Sequence, residues 1–102
     1  MKKQILLVDD EKELIENLKS RLECHAYEVV LANNGKEGLD LAARTNPDLI
    51  LADLIMPVLD GFTMIKELKR QGSQIPIIVM TTREKLKDLC ELEGIRDYLT
   101  KP

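Results

Sequence analysis

Four short runs of uninterrupted apolar residues, separated by stretches with helical periodicity, constrain this chain more than any other feature. The runs are Ile5-Leu6-Leu7-Val8, Val29-Val30-Leu31-Ala32, Leu49-Ile50-Leu51-Ala52 and Ile77-Ile78-Val79-Met80, with a weaker fifth at Tyr98-Leu99. A strand with one wet face alternates apolar and polar residues. Continuous apolarity instead suits a strand covered on both faces, as in a parallel sheet.

The intervening stretches carry one-sided apolar stripes. Leu14, Ile15, Leu18 and Leu22 share a helix face, with Glu, Lys and Arg opposite. Leu39, Ala42 and Ala43 mark a second helix, with Asn34 placed to cap it and the interior Gly38 weakening it by roughly 0.5–1 kcal/mol relative to alanine. Phe62, Ile65 and Leu68 mark a third, capped by Asp60 and followed by Gly72. Leu86, Leu89 and Cys90 mark a fourth that ends at Gly94. Strand and helix in strict alternation imply parallel pairing through right-handed crossovers, hence an α/β fold with an open, doubly wound, five-stranded parallel sheet. The sequence stops at Pro102, so this reading has no fifth helix, and part of one sheet face is expected to be bare.

Length and charge narrow the function. A chain of 102 residues is a single domain with room for a real core. Its net charge of −3 argues against a surface that grips a nucleic-acid backbone. No run approaches the roughly 20 apolar residues of a membrane span, and the Met-Lys-Lys start leads into a strand rather than a signal peptide, so a cytoplasmic protein is expected. Cys24, Cys90 and the lone His25 lack zinc spacing. The cysteines are expected to be reduced apolar filler, and His25 to be a surface or helix-end residue.

In an open α/β sheet, ligands sit beyond the carboxyl ends of the strands. Here the first strand ends in Asp9-Asp10-Glu11, the third in Asp53, the fourth in Thr81-Thr82, and the fifth runs into Lys101-Pro102. Carboxylates gathered in one crevice repel one another and call for a counter-charge, which a hard divalent cation with oxygen ligands supplies. For Asp9-Asp10 alone, a solvated acidic loop starting the first helix explains the pattern equally well. Asp53 is harder to dismiss, because it ends a four-residue apolar run where an idle charge is costly. A carboxylate can attack phosphorus, and the charge on the transferred group then needs metal and ammonium to offset it. Thr81 and Lys101 are of suitable types at suitable strand ends.

The segments Leu7-Val8-Asp9-Asp10-Glu11, Asp48-Leu49-Ile50-Leu51-Ala52-Asp53-Leu54-Ile55-Met56-Pro57, Asp60-Gly61, Pro76-Ile77-Ile78-Val79-Met80-Thr81 and Asp97-Tyr98-Leu99-Thr100-Lys101-Pro102 closely resemble the receiver domains of two-component response regulators. The resemblance spans the whole chain. It implies the flavodoxin-like strand order 2-1-3-4-5 of chemotaxis receivers, and a receiver domain over residues 1–102 that is incomplete at its C-terminus. It further implies that Asp53 is the phosphoacceptor. Mg²⁺, or Mn²⁺ in its place, would be held by Asp10 directly, by Asp9 largely through water, by Asp53 and by the backbone carbonyl of Ile55. Lys101, on a cis bond to Pro102, and Thr81 would hold the phosphoryl group, and Tyr98 would follow Thr81 as an aromatic switch. Ile55 and Arg83 stand where this family flanks the attacking water's route, and their bulk implies a slow-decaying phosphoryl form.

The function implied is a phosphorylation-dependent signalling switch that catalyses its own phosphoryl transfer and autodephosphorylation without being a turnover enzyme. Its expected partners are a sensor histidine kinase or phosphotransfer protein upstream and an output domain or target protein downstream. A homodimer is compatible with this picture; direct nucleic-acid and membrane binding are not expected. The segment between Thr81 and Gly94 is about half a helical turn shorter than the family pattern, which bears on the signalling face. Two rivals use the same fold. A receiver-like interaction module that no longer takes phosphate would not need the intact Asp9, Asp10, Asp53, Thr81 and Lys101 set. A flavin carrier would need a hydroxyl- and glycine-rich first loop, where this chain has Asp9-Asp10-Glu11.

Overall fold

The computed structural model describes residues 2–53, 61–81 and 97–100. The five apolar runs form five strands: β1 (Gln4–Val8), β2 (Glu28–Ala32), β3 (Leu49–Asp53), β4 (Ile77–Thr81) and β5 (Asp97–Thr100). Three helices alternate with them: α1 (Lys12–Cys24), α2 (Gly35–Thr45) and α3 (Gly61–Arg70). All strand pairs are parallel and the order is β2-β1-β3-β4-β5. The expected fourth helix, with Leu86, Leu89, Cys90 and Gly94, lies outside the described residues, as does the Asp60 cap.

The uninterrupted apolar runs follow from cores on both faces. Leu6, Val8, Ile50, Ala52 and Val79 point to one side and meet Ala42 of α2 and Met64, Ile65 and Leu68 of α3. Ile5, Leu7, Val29, Leu51 and Met80 point to the other and meet Ile15 of α1, with Leu18 and Leu22 at the margin. Beside α1 on that second face runs a groove whose wall includes Ile5, Leu22, Tyr27, Leu49 and Ile78.

The helix ends explain themselves locally. Asn34 caps α2, its side-chain oxygen accepting the Glu37 N–H at 2.8 Å. Asn46 ends α2 in the left-handed region at φ 45° and leads through Pro47 into β3. Helices α1 and α3 end in the same Schellman pattern, with N–H groups folded back to the last turn: Tyr27 to Leu22 and Ala26 to Glu23 in α1, Ser73 to Leu68 and Gly72 to Lys69 in α3. His25 sits at the end of α1, exposed, its Nδ1 2.9 Å from the Arg21 carbonyl, which agrees with a helix-end role.

Three expectations need correction. Cys24 is exposed rather than filling a core, because it falls on the solvent side of α1; Cys90 lies outside the described residues. Ala43 is exposed, so the buried stripe of α2 runs instead through Gly35, Gly38 and Ala42. Gly38 is also more than a weak point. A Cβ there would lie 2.8 Å from Met64 Sδ and 3.1 Å from Val8 Cγ2, so the bare glycine lets α2 approach both β1 and α3.

Candidate functional site

The parallel register lines up the strand ends. Val8 pairs with Ala52, so Asp9 and Asp53 follow as neighbours at the ends of β1 and β3. Asp53 pairs with Met80, and Thr81 with Thr100. A crevice at this edge therefore collects what each strand carries at its carboxyl end.

Asp9, Asp10 and Asp53 each place a carboxylate oxygen within 4.8 Å of the other two. Asp9 is wholly buried and Asp53 is 7% exposed, whereas Asp10 faces solvent. Asp9 and Asp53 are the buried charged side chains among the described residues. Local structure holds Asp9 in place. Its main-chain N–H continues the sheet by donating to the Ala32 carbonyl at 3.1 Å, and its Oδ1 accepts the Glu11 N–H at 2.9 Å. Glu11 in turn is the N-cap of α1, and its carbonyl accepts the first helical bond, from Ile15. The acidic end of β1 thus passes directly into the positive end of a helix dipole, which favours negative charge there.

The donor set fits a small hard cation. Three carboxylates within this distance supply only oxygen, one of them open to water, and this suits Mg²⁺, which keeps waters and takes few carboxylates. No soft or imidazole ligand accompanies them in the cluster, so zinc or copper is a poor match.

Of the other expected site residues, Thr81 is placed by its backbone at the end of β4, and Tyr98 pairs with Val79 in β5. The roles expected of their side chains lie outside the described residues, as do Ile55, Arg83, Lys101 and the bond to Pro102. Sequence reasoning did not anticipate the Glu11 main-chain donor. An aspartate two residues before a helix N-cap is the pattern that could have revealed it.

Comparison with known proteins agrees with this geometry. Residues 5–102 match the response regulator receiver domain family. The chain is 40% identical over 101 residues to response regulator MprA of Mycobacterium leprae, covering 97% of this chain and 44% of that protein. It is also 40% identical over 103 residues to protein PilH of Pseudomonas aeruginosa, covering 97% of this chain and 85% of that one. The chain thus spans less than half the length of MprA. Among solved structures it is similar to the receiver domain of sensor histidine kinase PA1611 from Pseudomonas aeruginosa, which carries a magnesium ion in its active-site cleft. The TM-score is 0.89 at 33% identity, over 100% of this chain and 87% of that one. Among the described residues no helix is long and apolar enough to cross a membrane. With matching sequence, strand order and acidic cluster, this chain belongs to the response regulator receiver domain family of two-component, phosphorylation-dependent signalling.

Proposed function

We propose that this chain is a signalling switch whose on-state is formed when Asp53 accepts a phosphoryl group. The observation that carries the reading is the cluster of Asp9, Asp10 and Asp53, with two of its three carboxylates buried. Burying like charges together costs stability, and such an arrangement points to a function for the site.

Asp9, Asp10 and Asp53, with the Ile55 carbonyl, would hold Mg²⁺, which when bound offsets the negative charge of the carboxylates and of the incoming phosphoryl oxygens. An oxygen of Asp53 attacks phosphorus. The bond from phosphorus to the donor breaks, a P–N bond for a phosphohistidine or a P–O bond for an acyl phosphate, and its electron pair leaves with the donor. Thr81 and Lys101 contact the new phosphoryl oxygens, and Tyr98 follows Thr81. Because those contacts exist only in the phosphorylated state, they shift the equilibrium between two forms of the signalling surface. Water later attacks the acyl phosphate, releasing inorganic phosphate and restoring the carboxylate. The chemistry happens once per signal, so the chain is a switch that catalyses its own modification. A histidine kinase or phosphotransfer protein supplies the phosphoryl group, and an output domain or target protein reads the result.

The test is incubation with a small acyl phosphate and Mg²⁺, followed by intact mass. One phosphoryl group should appear on the wild-type chain, and none on Asp53→Asn or when Mg²⁺ is chelated. A mass gain that persists in Asp53→Asn would move the acceptor elsewhere.

A further inference from the structure

Asparagine is a labile residue where the next main-chain nitrogen can reach its side-chain amide. The dipeptide Asn-Gly occurs once in this chain, as Asn34-Gly35. Glycine has no Cβ to screen its nitrogen or to restrict the peptide before it, so the approach is open. The other asparagines are less exposed to it: Asn46 precedes Pro47, which has no N–H, and Asn17 and Asn33 precede Leu18 and Asn34, whose side chains crowd the nitrogen. The fold nevertheless holds Asn34-Gly35 closed. For the Gly35 nitrogen to meet Asn34 Cγ, both the side-chain torsion and ψ of Asn34 must turn, and a hydrogen bond ties each. Oδ1 accepts the Glu37 N–H at 2.8 Å, which fixes the side chain. The Asn34 carbonyl accepts the Gly38 N–H at 2.9 Å, which fixes ψ at an extended 172°. A nearly flat five-membered ring cannot close from an extended ψ, and Gly35 itself is buried at the start of α2.

We propose that Asn34-Gly35 is a self-modifying site gated by the first turn of α2: the cap protects its own amide, and conversion to aspartate or isoaspartate proceeds when the bonds to Glu37 and Gly38 open together. The Gly35 nitrogen loses its proton to hydroxide and attacks Asn34 Cγ. The new C–N bond closes a succinimide, the Cγ–Nδ2 bond breaks, and ammonia leaves. Water then opens the ring. Addition at Cγ breaks its bond to the Gly35 nitrogen and leaves aspartate. Addition at the main-chain carbonyl carbon breaks that carbon's bond to the same nitrogen and leaves isoaspartate, with the chain running on through Cβ and Cγ. Either way one water is consumed and one ammonia released, with no change of oxidation state. The products act differently on α2. Aspartate keeps an acceptor at the N-cap and adds negative charge at the positive end of the helix dipole. Isoaspartate lengthens the main chain by one carbon at the cap, which upsets the spacing that lets the two Asn34 oxygens reach Glu37 and Gly38.

The test follows the full chain at mildly alkaline pH, folded in buffer or unfolded in guanidinium chloride, by intact mass and by the tryptic peptide 22–36, which Arg21 and Lys36 delimit. The unfolded chain should gain one mass unit in that peptide. Unfolded Asn34→Ser, which has no amide to lose, should not. The folded chain should convert more slowly by roughly tenfold or more. Amide exchange on the folded chain locates the gate. The slowing should match, within about threefold, the protection of whichever of the Glu37 and Gly38 amides exchanges more slowly, since both bonds must open. No gain in the unfolded chain, or a gain in the same peptide that persists in Asn34→Ser, would overturn the site. Equal rates in the folded and unfolded chains would overturn protection by the cap. A slowing that tracks the most protected strand amides instead of Glu37 and Gly38 would place the gate in global unfolding and overturn the local one.

Discussion

Asp9 and Asp53 stand where an ordinary core would place aliphatic side chains, at the ends of strands that are buried beyond their first residue. With Asp10 beside them they repel one another, because like charges at this range repel and two of the three have lost water. Asp53→Asn should therefore raise the metal-free melting temperature, by several degrees for a gain of about 1 kcal/mol in a domain of this size. Thermal denaturation in a chelator decides it, and an unchanged or lowered midpoint would count against functional strain at the site. Gly38 shows the opposite kind of constraint. Gly38→Ala gains roughly 0.5–1 kcal/mol of helix propensity but places a methyl group 2.8 Å from Met64 Sδ and 3.1 Å from Val8 Cγ2, where overpacking costs about 1–3 kcal/mol. Denaturant titration should show a net loss of roughly 1 kcal/mol. A smaller loss is expected in a Met64→Ala background, where one of the two obstacles is gone.

At the scale of elements, α1 and α3 differ in a single choice. Both end in a Schellman turn with the last residue but one in the left-handed region; α3 uses Gly72 at φ 81°, whereas α1 uses Ala26 at φ 67°. A Cβ in that region costs about 1–2 kcal/mol, so Ala26→Gly should stabilise the protein by roughly 1 kcal/mol, read as a higher denaturant midpoint at constant slope. This asymmetry also marks the boundary of what was legible in advance. Gly72 announces a helix stop by its type; Ala26 does not, and only the bonds from Tyr27 and Ala26 back to the last turn reveal one. The strands were legible because burial on both faces leaves no polar residue inside a run. The three helices were legible because their apolar stripes face only one way. The misjudged positions, Cys24, Ala43 and Gly38, depend on which few degrees of a helix face a neighbour, and that is set by packing rather than by residue type. The site divides in the same way. Asp9, Asp10 and Asp53 could be chosen by strand-end position, since parallel register carries all strand ends to one edge. The Glu11 donor shows only indirectly, through an aspartate two residues before the helix N-cap, because a main-chain N–H has no signature of its own in a side-chain alphabet.

For the molecule as a whole, the acidic cluster couples cation binding to folding. The three carboxylates come from two strands, Asp9 and Asp10 following β1 and Asp53 ending β3, and the sheet holds those strands side by side. The unfolded chain cannot keep them within a few ångströms, so a cation held by this cluster would bind the folded state alone and would stabilise it by RT ln(1 + [M]/Kd). At a hundredfold excess over Kd this amounts to about 2.7 kcal/mol, which for a domain of about 100 residues is on the order of 10 °C in melting temperature. The midpoint should rise with the logarithm of Mg²⁺ concentration above Kd, and Mn²⁺, which accepts the same oxygen ligands, should act likewise. Asp10→Asn removes a charge from the solvent side of the cluster and should flatten that dependence. Amide exchange adds the spatial half of the test. Protection gained on adding Mg²⁺ should concentrate at the carboxyl ends of β1 and β3 and at the start of α1, where Glu11 joins Asp9 to the helix. A uniform gain across the sheet, with the same slope in Asp10→Asn, would mean that the cation acts as a general salt and that the three carboxylates are not its ligands.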